Sequence, residues 1–299
     1  MVYALEGGEK LSSQEFLQYF EKKVRKTIRI HKLIDKKEHL LIACSGGKDS
    51  TTALYLMNKI IKNRDISIEA IHIDQSIGTY SEQNKNNLTD FCKKNNIKLH
   101  VFSFREEFGS SLCYIKDSLK EKGINWKSCT ICGILRRYIL NKKSRELKAT
   151  KIVIGHNLDD EAQTVLMNLF NNNTALLARL GPKTGIKDHD SFIPRIKPLY
   201  MCKEDEVELY SKLMKFPVKY ESCPCRVEAY RKRVCDLLDD FDKENVGTKS
   251  GIVKSYLELM PILKKEYAKK GSVKICKNCG EPAAGDVCNT CKIIKLIKN

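Results

Sequence analysis

Two hydrophobic periods alternate along most of the chain. In residues 15–37, "EFLQYFEKKVRKTIRIHKLIDKK", Phe16, Phe20, Val24 and Ile28 fall four apart and lysine and arginine fill the other faces, which predicts one amphipathic helix. "HLLIAC" (39–44) reads as a short buried strand, and Leu54, Leu56, Met57, Ile60 and Ile61 then return to the helical period. "SIEAIHI" (67–73), closed by Asp74, is a second strand, and the alternating "KLHVFSF" (98–104) is a third. "KIVIGH" (151–156) is a fourth, followed by the helical "DDEAQTVLMNLF". Strands separated by helices predict an α/β fold, a doubly wound and mostly parallel sheet covered on both faces. Such sheets bind ligands at the carboxyl ends of their strands, where "CSGGKDS", Asp74 and "GHNLDD" all fall. From about Lys203 the strand signal fades. "KEDEVELYSKLMKF", "RVEAYRKRVCDLLDDF" and "GIVKSYLELMPILKKEYAKK" read as helices before the tail "CKNCGEPAAGDVCNTCKIIKLIKN". The expected organisation is an N-terminal segment over 1–37, an α/β domain over 38–200, a helical extension over 201–270 and a small cysteine module over 271–299. "GPKTGIKDHD" (181–190) is the expected flexible loop.

Composition narrows the function classes. A net charge of +17 on 299 residues points to a polyanionic partner such as nucleic acid, although a generally lysine-rich proteome would produce the same excess. No apolar stretch approaches the roughly 18 residues of a membrane helix, and "MVYALEGGEK" has no apolar signal core. The expectation is a cytoplasmic protein with no membrane contact. Thirteen cysteines then call for metal or sulfur chemistry rather than disulfides.

Five motifs carry candidate chemistry. The loop Cys44–Ser50 joins a strand to a helix start, where unpaired N–H groups and the helix dipole favour an anion. Gly46 and Gly47 allow close approach, and Lys48 and Ser50 add donors. The spacing is not that of a Walker A loop. Cys129-Thr-Ile-Cys132 at a helix start suits metal or redox work, against the alternative of an inert pair. In "ESCPCRVEAYRKRV", Cys223 is the preferred third thiol and Cys225 its competitor. In "GHNLDDEAQT" (155–164), Asp159 could be a helix N-cap, and Asp160 is the better candidate for Mg²⁺ or substrate activation. Cys276-x2-Cys279-x8-Cys288-x2-Cys291 has the spacing of a closed, structural Cys₄ zinc site. Basic runs at 21–37, 135–145 and 230–234 suit RNA phosphates, although solvated helix faces look the same.

The S-G-G-x-D-S string resembles the PP-loop of the N-type ATP pyrophosphatases. That resemblance implies that Ser45, Gly46, Gly47, Lys48 and Ser50 grip ATP phosphates, that Asp49 holds the loop or Mg²⁺, and that Ala43, Ile73 and Gly155 complete the nucleotide site. With all motifs in this order, residues 15–299 resemble the tRNA 2-thiouridine synthetases. The resemblance implies ATP-dependent replacement of the C2 oxygen of a tRNA uridine by sulfur, at position 34 or 54. It also implies a 4Fe–4S cluster on Cys129, Cys132 and Cys223, whose fourth iron is open to a sulfide, and catalytic roles for Asp49, Arg136 and Asp160. Implied partners are tRNA and either free sulfide or a ubiquitin-like carrier, with a homodimer as the assembly. One departure stands out: relatives usually begin with a second zinc module, but residues 1–20 hold no cysteine or histidine. Alternatives left open are a cysteine persulfide in place of the cluster, an amidating or lysidine-type PP-loop ligase, and a metal-sensing RNA-binding protein that binds ATP without turning it over.

Overall fold

The computed structural model describes residues 2–5, 7–186, 191–221, 223–226, 230–268 and 274–298. A two-stranded hairpin, β1 (Tyr3–Ala4) and β2 (Lys10–Leu11), leads into α1 (Ser13–Ile30). The start of α1 is fixed by a capping box, in which the Glu15 N–H donates to Ser12 Oγ and the Ser12 N–H donates to the Glu15 carboxylate at 2.8 Å. The helix stops well before residue 37, because Lys32 turns into the left-handed region (φ 46°) and Leu33 buries. The basic run 32–37 is therefore not helical.

The α/β unit follows in the predicted alternation. β3 (His39–Cys44) leads to α2 (Lys48–Ile61), β4 (Ser67–Asp74) to α3 (Gly78–Lys94), and β5 (Leu99–Ser103) to the short α4 (Phe104–Phe108). Helices α5 (Leu112–Glu121) and α6 (Ser128–Glu146) precede β6 (Lys151–Ile154), which runs into α7 (Leu158–Phe170) and the single turn α8 (Thr174–Leu177). A fifth strand, β7 (Arg195–Ile196), completes a wholly parallel sheet of order β5-β4-β3-β6-β7. The chain winds outward from β3 to β5 and then crosses back to β6, so the topological switch lies between β3 and β6. β7 carries no strand signal because it is two residues long, in a three-residue stretch bracketed by Pro194 and Pro198.

Alternation along the strands builds two cores, since successive side chains face opposite sides of the sheet. Leu40, Ile42 and Ala70 pack with Phe16, Phe20, Val24, Leu54, Met57 and Phe91 under α1, α2 and α3. Leu41, Ile71, Ile73 and Ile152 pack on the other side with Ile115, Leu119, Ile131, Leu135 and Ile139 of α5 and α6. α9 (Glu204–Leu213) joins the first layer, and α10 (Tyr230–Glu244) and α11 (Thr248–Ala268) pack on α7 through Val234, Leu238 and Val253. The tail is a hairpin, β8 (Lys274–Ile275) and β9 (Pro282–Ala283), followed by α12 (Asn289–Lys298), whose Ile293 is fully buried in the α5–α6 core. Residues 187–190 of the expected flexible loop lie outside the described residues, whereas Thr184 and Gly185 are bonded to Arg195 O and Arg179 O. Among the described residues, no helix is long and apolar enough to cross a membrane.

One ion pair is locked inside this frame. Lys197 Nζ donates to Glu161 Oε1 at 2.6 Å, with both side chains almost wholly buried. Lys197→Met leaves a buried carboxylate without its main partner and is expected to cost about 3–5 kcal/mol. The double variant Lys197→Met/Glu161→Leu should recover much of that loss. Urea unfolding of the three proteins checks both, and a silent Lys197→Met would refute the pairing.

Candidate active site

The glycine loop closes on itself before it meets any ligand. The Ser45 N–H donates to Ser50 Oγ at 3.1 Å, the Ser50 hydroxyl donates to Gly47 O at 3.2 Å, and the Ser45 and Ser50 hydroxyls lie 3.2 Å apart. Gly46 sits at φ +84°, and a Cβ there would stand 2.8 Å from the Asn84 carbonyl oxygen. Gly47 is the N-cap of α2 with no side-chain capping bond, so the first N–H groups of α2 stay available to an anion. Opposite, at the end of β6, Gly155 lets the loop come close: a Cβ there would lie 2.8 Å from Ser50 N and from the Asp49 carbonyl carbon.

Acidic groups gather across the switch point. Asp49 Oδ1 accepts from Asn157 Nδ2 at 3.0 Å. Burial pushes the Asp49 carboxyl up, Asp160 and Glu204 add to the rise, and Lys48 opposes it. Burial works to lower Lys48, but Asp49 and Glu204 outweigh it and hold the ammonium above its usual range. Lys48 Nζ lies 2.9 Å from Glu204 and 3.2 Å from Asp49, turned to these acids, and is not among the residues lining the cleft. The N-cap of α7 is Asn157 and not Asp159, because Asn157 Oδ1 accepts from the Asp160 N–H at 3.0 Å. Asp159 is instead a buried tie that accepts the Glu204 N–H at 2.8 Å and Lys249 Nζ at 2.5 Å. Asp160 reaches the cleft, and Arg231 Nη1 bonds its Oδ1 at 3.1 Å.

Between the sheet and α6 lies a cleft of about 280 Å³. Ala43, Ile73, Ser45, Asp49, Ser50, Gly155, Asp160 and Arg136 line it, which brings most of the expected site residues together. Gly46 and Gly47 form the loop behind it. Cys44 also lines it, but burial holds that thiol far above its ordinary value and makes it a poor nucleophile. Three guanidiniums, Arg136, Arg137 and Arg195, form the opposite wall. Burial, then Arg137 and Arg136, push Arg195 down to about 10, and burial with Arg136 lowers Arg137.

Helix α6 connects this cleft to the thiols. Cys129 and Cys132 occupy its first turn, and Arg136 and Arg137 follow about one turn, roughly 6 Å, later. The 3₁₀ turn Pro224–Arg226 packs on α6, and Cys129 Sγ donates to Cys225 O at 3.3 Å. Burial raises Cys132, Arg136 opposes the rise, and Cys223 and Cys129 add to it, so these three sulfurs share one neighbourhood. Burial, Cys223 and then Cys113 push Cys225 up to about 11. The sulfurs of 129, 132 and 223 do not all lie within 4.8 Å of one another, unlike those of the C-terminal group.

The C-terminal cysteines have the opposite geometry. Cys276 and Cys291 sulfurs are 3.9 Å apart and those of Cys279 and Cys288 3.7 Å. Zn–S bonds of about 2.3 Å place tetrahedral ligands about 3.8 Å apart. Burial opposes it, but the backbone N–H groups of Cys288, Asn278 and Cys279 draw Cys276 down to about 6, as a metal-binding thiolate requires. The module docks on α6 through Glu281, which accepts from Asn141 Nδ2 at 3.0 Å and pairs with Arg145.

Sequence reading noted Arg137 only beside Arg136 and Arg231 only within a basic run, and it missed Arg195, Asn157, Glu204 and Cys113. Asn157 had the signature of a cap three residues before an acid. Arg195, Glu204 and Arg231 reach the site only through tertiary packing, so no local pattern marks them.

A glycine loop at the switch point of a parallel sheet, with its helix N-terminus open and acids across the crevice, defines a nucleotide-binding α/β protein. The model of the PP-loop domain family matches residues 16–222. The tRNA-5-methyluridine(54) 2-sulfurtransferase of Pyrococcus horikoshii is 34% identical over 288 residues, covering 96% of this chain and 88% of that protein. The tRNA 2-thiolation protein NcsA of Haloferax volcanii is 32% identical over an alignment of 313 residues, 100% of this chain and 96% of that one. The solved structure of the U34-tRNA thiolase NcsA from Methanococcus maripaludis with its 4Fe–4S cluster matches with a TM-score of 0.78 at 29% identity, covering 97% of this chain and 90% of that one. The chain belongs to the PP-loop domain family, in the branch of the tRNA 2-thiolation proteins.

The contact at Gly155 offers a direct test of where nucleotide binds. Gly155→Ala drives a methyl into the Asp49–Ser50 backbone, an overpacking of about 1–3 kcal/mol. ATP affinity measured by calorimetry is expected to fall about tenfold or more, with far-UV circular dichroism unchanged. Wild-type affinity in this variant would contradict a nucleotide site in the crevice.

Proposed function

We propose that this chain is an ATP-dependent tRNA uridine 2-sulfurtransferase of the cytoplasm. The single observation that carries the reading is helix α6, with the Cys129–Cys132 pair in its first turn and Arg136 and Arg137 walling the nucleotide cleft one turn later. An adenylating loop alone would suit many ligases, and an amine-donating ligase needs no thiols beside its cleft.

The open N-terminus of α2, with Ser45 and Ser50, binds the phosphates of ATP, and Ala43 and Ile73 contact the adenosine. Asp49 and Asp160 face the same space and are the groups that would hold Mg²⁺. Fixed donors there stabilise the charge of the departing pyrophosphate, so that AMP is transferred to the C2 oxygen of the target uridine. Sulfur then adds at C2 and AMP leaves with the former oxygen. Asp160 is oriented for this by Arg231 and by its place in the α7 capping box. Arg136 presents a permanent positive charge to the developing anion. A 4Fe–4S cluster on Cys129, Cys132 and Cys223 would supply a sulfur-binding iron, since three protein ligands leave one iron free. Cys223 is taken as the third ligand, with Cys225, whose carbonyl accepts from Cys129 Sγ at 3.3 Å, as its competitor. Zn²⁺ on Cys276, Cys279, Cys288 and Cys291 is structural, and through Glu281 it braces the helix that carries both thiols and arginines. Sulfide or a carrier thiocarboxylate supplies the sulfur, and the enzyme works as a homodimer on uridine 34 or 54, the positions named in its relatives.

The test is anaerobic incubation of iron-reconstituted protein with unmodified tRNA, ATP and sulfide. Expected products are 2-thiouridine by nucleoside mass spectrometry, mapped to one position, together with AMP and pyrophosphate. Cys129→Ser, Cys132→Ser and Cys223→Ser should each lower product at least about 100-fold, about 2.7 kcal/mol in the barrier, and Cys225→Ser should keep most of it. Activity in iron-free protein would show that sulfur transfer does not need the cluster and would remove it from the reading. Absence of thiouridine from fully loaded wild-type protein would overturn the assignment.

A further inference from the structure

Three guanidiniums share one wall of the cleft without an acid among them, those of Arg136 and Arg137 open to solvent and that of Arg195 half-buried. Arg136, Arg137 and Arg195 all line it, and among the described residues none has a carboxylate partner. Arg195 Nε is sealed from solvent and makes no hydrogen bond. Leu140, Ile71 and Ile154 complete that wall, and none of them offers the Arg195 Nε an acceptor. Like charges clustered without compensation, one of them with a donor sealed from solvent, are costly, and a fold keeps them where an anion joins them.

The other wall shows which anion is missing. Lys48, the one lysine of the glycine loop, is bound to Glu204 and Asp49 and is not in the cleft. The N-terminus of α2 offers roughly half a unit of positive charge, far less than a nucleoside triphosphate needs. Besides His156, the cations lining the cleft are these three arginines. An RNA backbone reaches surface cations, but the Arg195 Nε lies too deep for it. We propose that Arg137 and Arg195 form a second phosphate receptor facing the glycine loop, which takes a phosphate of the bound nucleotide through guanidinium hydrogen bonds. The inference rests on the reading of the cleft as an ATP site and assigns it a charge source that the loop itself does not provide. Arg195 comes from the proline-bracketed strand β7, so the edge of the sheet becomes part of the nucleotide site.

The test uses the full-length protein without tRNA or sulfur donor. ATP and inorganic pyrophosphate are titrated by calorimetry, and melting curves are recorded with and without each, for wild type, Arg195→Gln, Arg137→Gln and Arg195→Lys. Either glutamine variant is expected to bind ATP and pyrophosphate about tenfold or more weakly and to lose most of the ligand-induced rise in Tm. Without ligand these variants should melt no lower than wild type, because a repelling charge has gone. Arg195→Lys should fall between, keeping charge but losing the planar fork. A lower unliganded Tm with ligand-induced shifts intact would make the arginines structural and overturn the proposal. Unchanged ATP and pyrophosphate affinity with weakened tRNA binding would assign the phosphate to RNA and overturn it equally. A wild-type enzyme that binds ATP through these arginines yet forms no thiouridine would leave this receptor standing and remove the thiolation reading instead.

Discussion

The close approach of Gly155 to the backbone of Asp49 and Ser50 is the constraint on which the site's geometry rests. Two parallel strands on either side of a crossover present their carboxyl ends to the same crevice, and there the glycine loop must pack against the turn leaving β6. Any side chain at 155 would fill the 2.8 Å gap to that backbone. The contact fixes the angle at which α2 enters, and so the direction in which its unpaired N–H groups point. Asn157 then bonds Asp49 and caps α7 with the same side chain, which joins both helix starts into one unit.

Charge is divided across that crevice. On the side of the loop, Asp49, Asp160, Glu204 and Asp159 are held by Lys48, Arg231 and Lys249 in a chain of short ion pairs. On the side of α6, the arginines stand without acids. The division sets three arginines on one wall of the cleft and Asp49 and Asp160 on the other. The lysine of the loop belongs to the acidic side, paired with Glu204 and Asp49.

Much of this was legible in the sequence, and for physical reasons. The four long strands announced themselves because buried parallel strands are continuous apolar runs, as in "HLLIAC" and "KIVI". The four-cysteine group was legible because two local CxxC pairs, nine residues apart, bring their sulfurs together. The helical stretch at 15–37 was overextended because "HKLIDKK" keeps the apolar period after Lys32 has broken the helix. Asp159 looked like a cap because an acid before an apolar run is a cap signal, but Asn157, two residues earlier, holds the position. β7 and the placement of Arg195 in the cleft left no trace. Two residues make no period, and a half-buried arginine is known only by what it faces.

The central claim is that nucleotide and sulfur chemistry meet across the first two turns of α6. Its most direct measurement is the electron paramagnetic resonance relaxation of the reduced iron–sulfur cluster in anaerobically reconstituted protein, with ATP supplied as the Mg²⁺ or the Mn²⁺ complex. The account predicts that Mn²⁺–ATP, but not Mg²⁺–ATP or Mn²⁺ alone, broadens the cluster signal and speeds its relaxation. A cluster signal that is indifferent to saturating Mn²⁺–ATP would mean that the two centres lie far apart, and would contradict the account.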